Sequence, residues 1–147
     1  MHWIAQRGLL PSDPASLARA MLRWPILTFG RGTAPHIAVD AMVTRLAVHN
    51  NVPLSETRVT CMPSVAAMIH LLRDGYGVAA VPSLLVTAYL DSGELVALTG
   101  LHAPPPIVVA MCRRADAGVA TLAAEQAAHD VCRGFCVTHG KALIEAL

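Results

Sequence analysis

The strongest constraint on the fold is a regular alternation between short apolar strands and amphipathic helices. A strand-like run at 26–29 ends at the loop 30–33, and a helix is predicted from there to about Asn50. In this helix apolar residues recur three and four positions apart, the spacing of one helical face. A second pair follows directly, with a strand at 58–62 and a helix capped by Ser64. This alternation is typical of an α/β domain with a mostly parallel sheet flanked by helices.

The rest of the chain continues the pattern. Residues 3–5 and 78–81 are predicted strands, and Gly75 is well placed to end the second helix,. Thr33 is predicted to cap the first helix, with Pro35 in its first turn,. The sequence also predicts a weak helical turn at 15–23, a short helix at 84–90, strands at 95–98 and 107–112, and an alanine-rich helix from about residue 117.

The composition indicates a chain that buries much of its surface without crossing a membrane. Hydrophobic residues make up 54% of the 147 residues and charged residues 14%. No apolar run reaches the roughly 18 residues of a membrane span. The first residues lack the charged-then-apolar order of a signal peptide. We therefore expect a cytoplasmic protein.

The charge distribution argues against nucleic-acid binding by this chain. The net charge is +1, and the ten arginines and one lysine form no basic cluster. Proteins that bind nucleic acid need a concentrated basic face, because much of their affinity comes from neutralising phosphates. We expect no affinity for DNA from this chain alone.

Enzyme and cofactor motifs are weak. No serine lies in a GxSxG nucleophile elbow,. The run GYGVAA at 75–80 matches a dinucleotide-binding GxGxxA, but it follows a helix and precedes a strand, which is the reverse of the order that binds pyrophosphate. We therefore interpret it as a helix stop and predict neither an enzyme nor a cofactor.

The cysteines and histidines give no firm metal site. His129, Cys132, Cys136 and His139 share one helical face, but its ends are about 15 Å apart, too far for four ligands to surround one ion,. A site of two or three ligands completed elsewhere is the alternative to packed cysteines and partly exposed histidines. Cys61 is either a buried strand cysteine or a thiol that senses oxidants.

Three stretches resemble one known family, in the same order and at the same spacing. PILTFGRGT at 25–33 resembles a strand and loop that open the family's second subdomain. SVAAMIHLLRDGYGVAAVP at 64–82 resembles its helix, glycine turn and proline-ended strand, and LDSGELV at 90–96 resembles the segment that follows. The family is the effector-binding domain of LysR-type transcription regulators, whose fold is similar to type II periplasmic binding proteins.

The resemblance implies one complete periplasmic-binding-protein-like subdomain plus part of a second. Residues 1–23 would be a crossover strand and loop of the first subdomain, and residues 24–103 the second subdomain. Residues 104–147 would return to the first subdomain as a crossover strand and C-terminal helix. Family members begin with a winged helix-turn-helix, a linker helix and the first half of the sensing domain, so this chain is expected to be a fragment or N-terminally truncated.

The implied function is effector sensing in a transcription regulator. The partners would be a small-molecule effector, further copies of the chain in a homo-oligomer, and DNA only through a helix-turn-helix that this chain lacks. Exposed backbone groups of a strand at 107–112 and an apolar face of the last helix would be covered by a partner copy. The alternatives are a stand-alone small-molecule-binding protein or enzyme on the same fold, and a degenerate product without activity.

The predicted ligand site follows from the parallel sheet together with this resemblance. Ligands bind at the carboxyl ends of parallel strands, where helix N-termini and the guanidinium of Arg31 would favour a carboxylate or other small anion. The alternative is that Thr33 and Ser64 only cap their helices while Arg31 is solvated. The predicted ligand-binding residues are Gly30, Arg31, Gly32, Thr33, Met62, Ser64, Val81 and Pro82.

Overall fold

The computed structural model describes residues 1–140 and divides the chain into two compact units, Met1–Ile107 and a second that begins at Val108. The first unit contains five strands and four α-helices, and the described part of the second contains one long helix. In chain order the elements are β1 (His2–Gln6), α1 (Pro14–Met21), β2 (Pro25–Thr28), α2 (Ala34–His49), β3 (Arg58–Cys61), α3 (Val65–Arg73), β4 (Val78–Val81), α4 (Thr87–Asp91), β5 (Leu95–Ala97) and α5 (Val119–His139).

The five strands form one sheet in the order β3-β2-β4-β1-β5. β2 runs parallel to β3 and β4, whereas β1 runs antiparallel to both of its neighbours, β4 and β5. The predicted α/β fold with helices flanking the sheet is confirmed. The sheet is mixed rather than mostly parallel, because residues 7–24 leave and re-enter it at the same edge and β2 therefore runs opposite to β1.

Both faces of the sheet are buried. On one face, sheet residues such as Ile26 and Val78 pack with α1 and α2 around Trp3. On the other face, Leu27 and Ala79 pack with α3 and α4. Neighbouring residues of a strand point to opposite faces, so Ile26 and Leu27 of β2 fill one core each.

The predicted starts of α2 and α3, and the predicted end of α3, agree with the structure. The Thr33 hydroxyl accepts a hydrogen bond from the His36 N–H at 3.4 Å and begins α2. The Ser64 hydroxyl accepts one from the Ala67 N–H at 3.3 Å and begins α3. Gly75 follows α3 with a φ of +69°, the left-handed conformation that ends many helices,.

Two predicted elements need correction. The helix predicted at 84–90 is a 3₁₀ turn, Ser83–Leu85, followed by the short helix α4. The strand predicted at 107–112 is wrong: this segment pairs with no strand in the part of the chain described, and Val108 and Val109 are 73% and 90% exposed. β-branched composition favours extended backbone, but a strand also needs a partner edge.

The second unit is dominated by the predicted alanine-rich helix. α5 follows Gly118, and an ion pair of 2.6 Å between Arg113 and Glu125 connects it to the preceding segment. No side chain of α5 is buried, and Val119 and Val137 are 84% and 85% exposed. Within residues 1–140, no helix combines the length and the hydropathy of a membrane span.

Candidate functional site

The carboxyl ends of β2, β3 and β4 lie at one edge of the sheet. These strands are adjacent and parallel, with Thr28 opposite Cys61 and Leu27 opposite Ala79. A hydrogen bond of 2.7 Å from the Met62 N–H to the Thr28 carbonyl extends the pairing beyond β3. The loops after these three strands therefore begin side by side, and two of them lead into the N-termini of α2 and α3.

The loop between β2 and α2 is a tight turn open to solvent. The Thr33 N–H and hydroxyl both donate to the Gly30 carbonyl, at 3.2 and 2.8 Å. Gly32 has a φ of +80°, which a residue with a side chain rarely adopts, and a Cβ there would meet no atom within 4 Å,. Arg31 and Thr33 are both exposed, outside the core. Within residues 1–140, the Arg31 guanidinium has no hydrogen bond or ion pair.

The N–H groups at the start of α2 are already partly used. The Gly32 N–H donates to Nδ1 of His36 at 3.1 Å, and the Thr33 hydroxyl accepts from His36. At α3 the Ser64 cap accepts a hydrogen bond from the Ala67 N–H only. The N–H groups before it have no partner inside the helix, because no earlier turn supplies carbonyls. The α3 terminus is thus the less occupied of the two helix ends.

The other predicted residues at this edge differ in exposure. Met62 and Pro82 are half-buried and Ser64 is exposed. Val81 is fully buried in the core on the α3 side of the sheet, so Pro82 is the apolar group of this pair that meets solvent. The structure thus brings the ends of all three predicted loops to one edge.

Sequence reasoning missed a histidine–serine pair at the same edge. β1 is antiparallel to β4, which places His2 opposite Val81. Nδ1 of His2 lies 2.5 Å from the Ser83 hydroxyl in a hydrogen bond. No local pattern could reveal this pair, because 81 positions separate the two residues and only the strand order brings them together.

Thr28 was also missed, although the sequence carried a signal for it. Its side chain is fully buried at the carboxyl end of β2, and its hydroxyl has no hydrogen-bond partner within residues 1–140. A single polar residue inside the apolar run PILTF marks this position. A buried hydroxyl without a partner costs free energy, so its place beside the candidate site is notable.

The sequence matches the model of the LysR substrate binding domain family over residues 1–133. The chain belongs to this family. No curated protein matches it. Among solved structures, this LysR substrate-binding domain is similar to the regulatory domain of a HypT mutant from Salmonella typhimurium, with 17% identity, a TM-score of 0.46, and coverage of 66% of this chain and 53% of the other.

It is also similar to an effector-binding domain from Citrobacter freundii that carries three substitutions. Here the identity is 19% and the TM-score 0.48, with coverage of 71% of this chain and 48% of the other. The chain thus spans about half the length of these two solved structures.

In the part of this LysR substrate-binding domain that the structure describes, the cysteines and histidines form no cluster of metal ligands. Among residues 1–140, no three His, Cys, Asp or Glu side chains come together in a way that could hold a metal ion. On α5 the Phe135 ring contacts the His139 ring instead, with centroids 4.1 Å apart. Cys61 is a free thiol, half-buried at the end of β3.

Proposed function

We propose that this LysR substrate-binding domain senses a small organic anion, such as a carboxylate, at the carboxyl edge of β2, β3 and β4. The observation that supports this most is that two capped helix N-termini lie at one sheet edge together with Arg31, which has no partner within residues 1–140. Helix N-termini carry partial positive charge and unpaired N–H groups, which favour anions. No acidic residue lies among the eight predicted ligand-binding residues.

Each group has a distinct role in this proposal. Arg31 supplies a planar donor that can grip a carboxylate with two hydrogen bonds. Gly30 and Gly32 let the ligand approach the backbone closely, and Thr33 and Ser64 hold the two helix starts in place. Met62 and Pro82 form an apolar wall, with Val81 behind it. Family membership favours binding over catalysis, and the ligand would be bound and released unchanged.

The proposed output is control of transcription in the cytoplasm. The effector would bind between two subdomains and change their closure, and with it the geometry of an oligomer bound to DNA through a separate helix-turn-helix. By the family's division, residues 104–147 would belong to the first subdomain and residues 24–103 to the second. Residues 1–23, expected in the first subdomain as well, pack with residues 24–103 in one unit. Exposed apolar side chains of the second unit support association with further copies, which sedimentation at low micromolar concentration would test.

The test is ligand binding by the chain and by two arginine variants. Thermal shift and calorimetry with a panel of small carboxylates, each paired with its neutral amide, should identify acids that bind while their amides do not. Arg31→Ala should weaken binding of such an acid about tenfold or more, since a hydrogen bond to a charged group is worth about 1.5–3 kcal/mol.

Arg58→Ala is the matched control, because Arg58 is an exposed arginine at the opposite end of β3. It should leave the affinity unchanged. If both variants lose affinity equally, or if the amides bind as well as the acids, the anion site at this edge is wrong.

A further inference from the structure

A hollow lies along one side of α2, apart from the sheet edge. Its volume is about 280 Å³. On α2 the small side chains of Ala38 and Ala41 leave the space, with Met42 at its base and Arg45 one turn beyond Ala41. The opposite wall consists of His102, Ala103 and Pro105. Roughly 16 Å along the helix axis separate Ala34, at the start of α2, from Arg45.

The opposite wall is fixed to the core. Trp3 is 1% exposed, and its indole Nε1–H donates to the His102 carbonyl at 3.0 Å. The Leu98 N–H donates to the Trp3 carbonyl at 2.8 Å, and Pro104 is buried. Because these contacts hold the segment in place, the hollow exists before any ligand binds, which lowers the cost of binding.

The lining chemistry has one sign of charge. Arg45 and His102 are its ionisable residues, and no carboxylate lines it. In the described part of the chain, neither side chain makes a hydrogen bond or ion pair. Arginine has only donors, and an imidazole carries at least one N–H. The remaining lining residues are alanine, methionine and proline, so the hollow offers donors beside an apolar surface.

We infer that this hollow binds a small organic anion with one carboxylate on a compact apolar body. The carboxylate pairs with Arg45 and His102, and the apolar part lies against Met42 and Pro105. A volume of 280 Å³ is just below the range of drug-sized sites, so the ligand has about ten non-hydrogen atoms,. The site is separate from the one proposed at the sheet edge and does not depend on it.

Tryptophan fluorescence gives a local readout. The chain has two tryptophans, and Trp24→Phe leaves Trp3, whose indole is bonded to the wall of the hollow. Cyclohexanecarboxylate should change the Trp3 emission with a saturable curve, and cyclohexanecarboxamide should not. Calorimetry on the unaltered chain gives the same comparison if Trp24→Phe folds poorly. Inorganic phosphate, which lacks an apolar body, should bind at least tenfold more weakly.

The variants separate this site from the first one. Arg45→Met keeps the apolar stem and should reduce the affinity for cyclohexanecarboxylate read from the Trp3 emission at least tenfold, whereas Arg58→Met, at an exposed arginine outside both sites, should leave it unchanged. Circular dichroism checks that the variants fold. The inference is overturned if no carboxylate changes the Trp3 emission or releases heat, or if Arg31→Met and not Arg45→Met removes binding. Equal binding of phosphate would refute the apolar part of it.

Discussion

Gly77→Ala tests how closely β4 must approach β2 at the amino ends of these two parallel strands. Gly77 lies opposite Pro25, because the next residues, Val78 and Ile26, are paired in the register of the two strands. A Cβ on Gly77 would collide with the Pro25 carbonyl oxygen and lie 3.1 Å from its carbonyl carbon. These are backbone atoms inside a sheet, so no side-chain rotation can relieve the contact.

The magnitude follows from two opposing effects. Overpacking a core costs about 1–3 kcal/mol, and the upper end applies here because the obstacle is backbone. Replacing glycine by alanine lowers the conformational entropy of the unfolded chain, which stabilises the folded state by about 0.4–1 kcal/mol. We therefore expect a net loss of about 2–2.6 kcal/mol in the free energy of unfolding. With a urea m-value near 2 kcal/mol/M, the unfolding midpoint should fall by about 1–1.3 M.

Gly30→Ala is the control, since it places the same methyl group at the other end of β2. There the Cβ would meet only the Thr33 methyl group, at 3.9 Å, an ordinary contact. This variant should unfold at the same urea concentration as the parent or slightly higher, as followed by far-ultraviolet circular dichroism. If the free energy of unfolding of Gly77→Ala lies within about 0.5 kcal/mol of that of the parent, β2 and β4 can move apart at little cost. The close approach of Gly77 to Pro25 would then not limit stability.

Three further substitutions test single contacts. Thr28→Val should stabilise the chain by about 1 kcal/mol in chemical denaturation, because it replaces a buried hydroxyl that has no partner within residues 1–140,; a loss of stability would indicate an unseen partner. Ser64→Ala should cost about 1 kcal/mol in the same assay through loss of the α3 cap, and no change would show that this cap is dispensable,. Hydrogen bonds from Ser16 and Ala15 hold the pKa of Asp13 below its ordinary value of 3.8, so this contribution to stability is present at neutral pH and is lost as the pH falls below that value,. Asp13→Asn should flatten the dependence of the melting temperature on pH in this acid range, and an unchanged profile would contradict the assignment.

The features that sequence predicted well are local. A helix start requires a side-chain acceptor beside unpaired N–H groups, and Thr33 and Ser64 have one,. A helix end often requires a left-handed residue, and Gly75 provides it,. The apolar spacing along α2 is also local, because it reflects one face of one helix. Each of these depends on a few neighbouring residues, so a single sequence is enough to predict it.

The features that sequence missed depend on partners far away in the chain. The direction of β1 is set by where residues 7–24 return to the sheet, which alternation of apolar residues does not encode. The pairing of His2 with Ser83 follows from that direction. The segment 107–112 has strand-like composition but no edge to pair with in the described residues, and composition alone cannot distinguish the two cases.

The position of the candidate site was predictable from the sequence. The competition between His36 and a ligand for the Gly32 N–H was not. Parallel strands with helices after them place loop 30–33 at the carboxyl edge, whatever the side chains do. The hydrogen bond from Gly32 to His36 Nδ1 is visible only in three dimensions. An anion that takes the Gly32 N–H must displace this nitrogen. The affinity for an anion at this loop therefore depends on how much more strongly the Gly32 N–H binds the ligand than it binds His36. Adding up the donors that Arg31 and the helix ends provide would overestimate it.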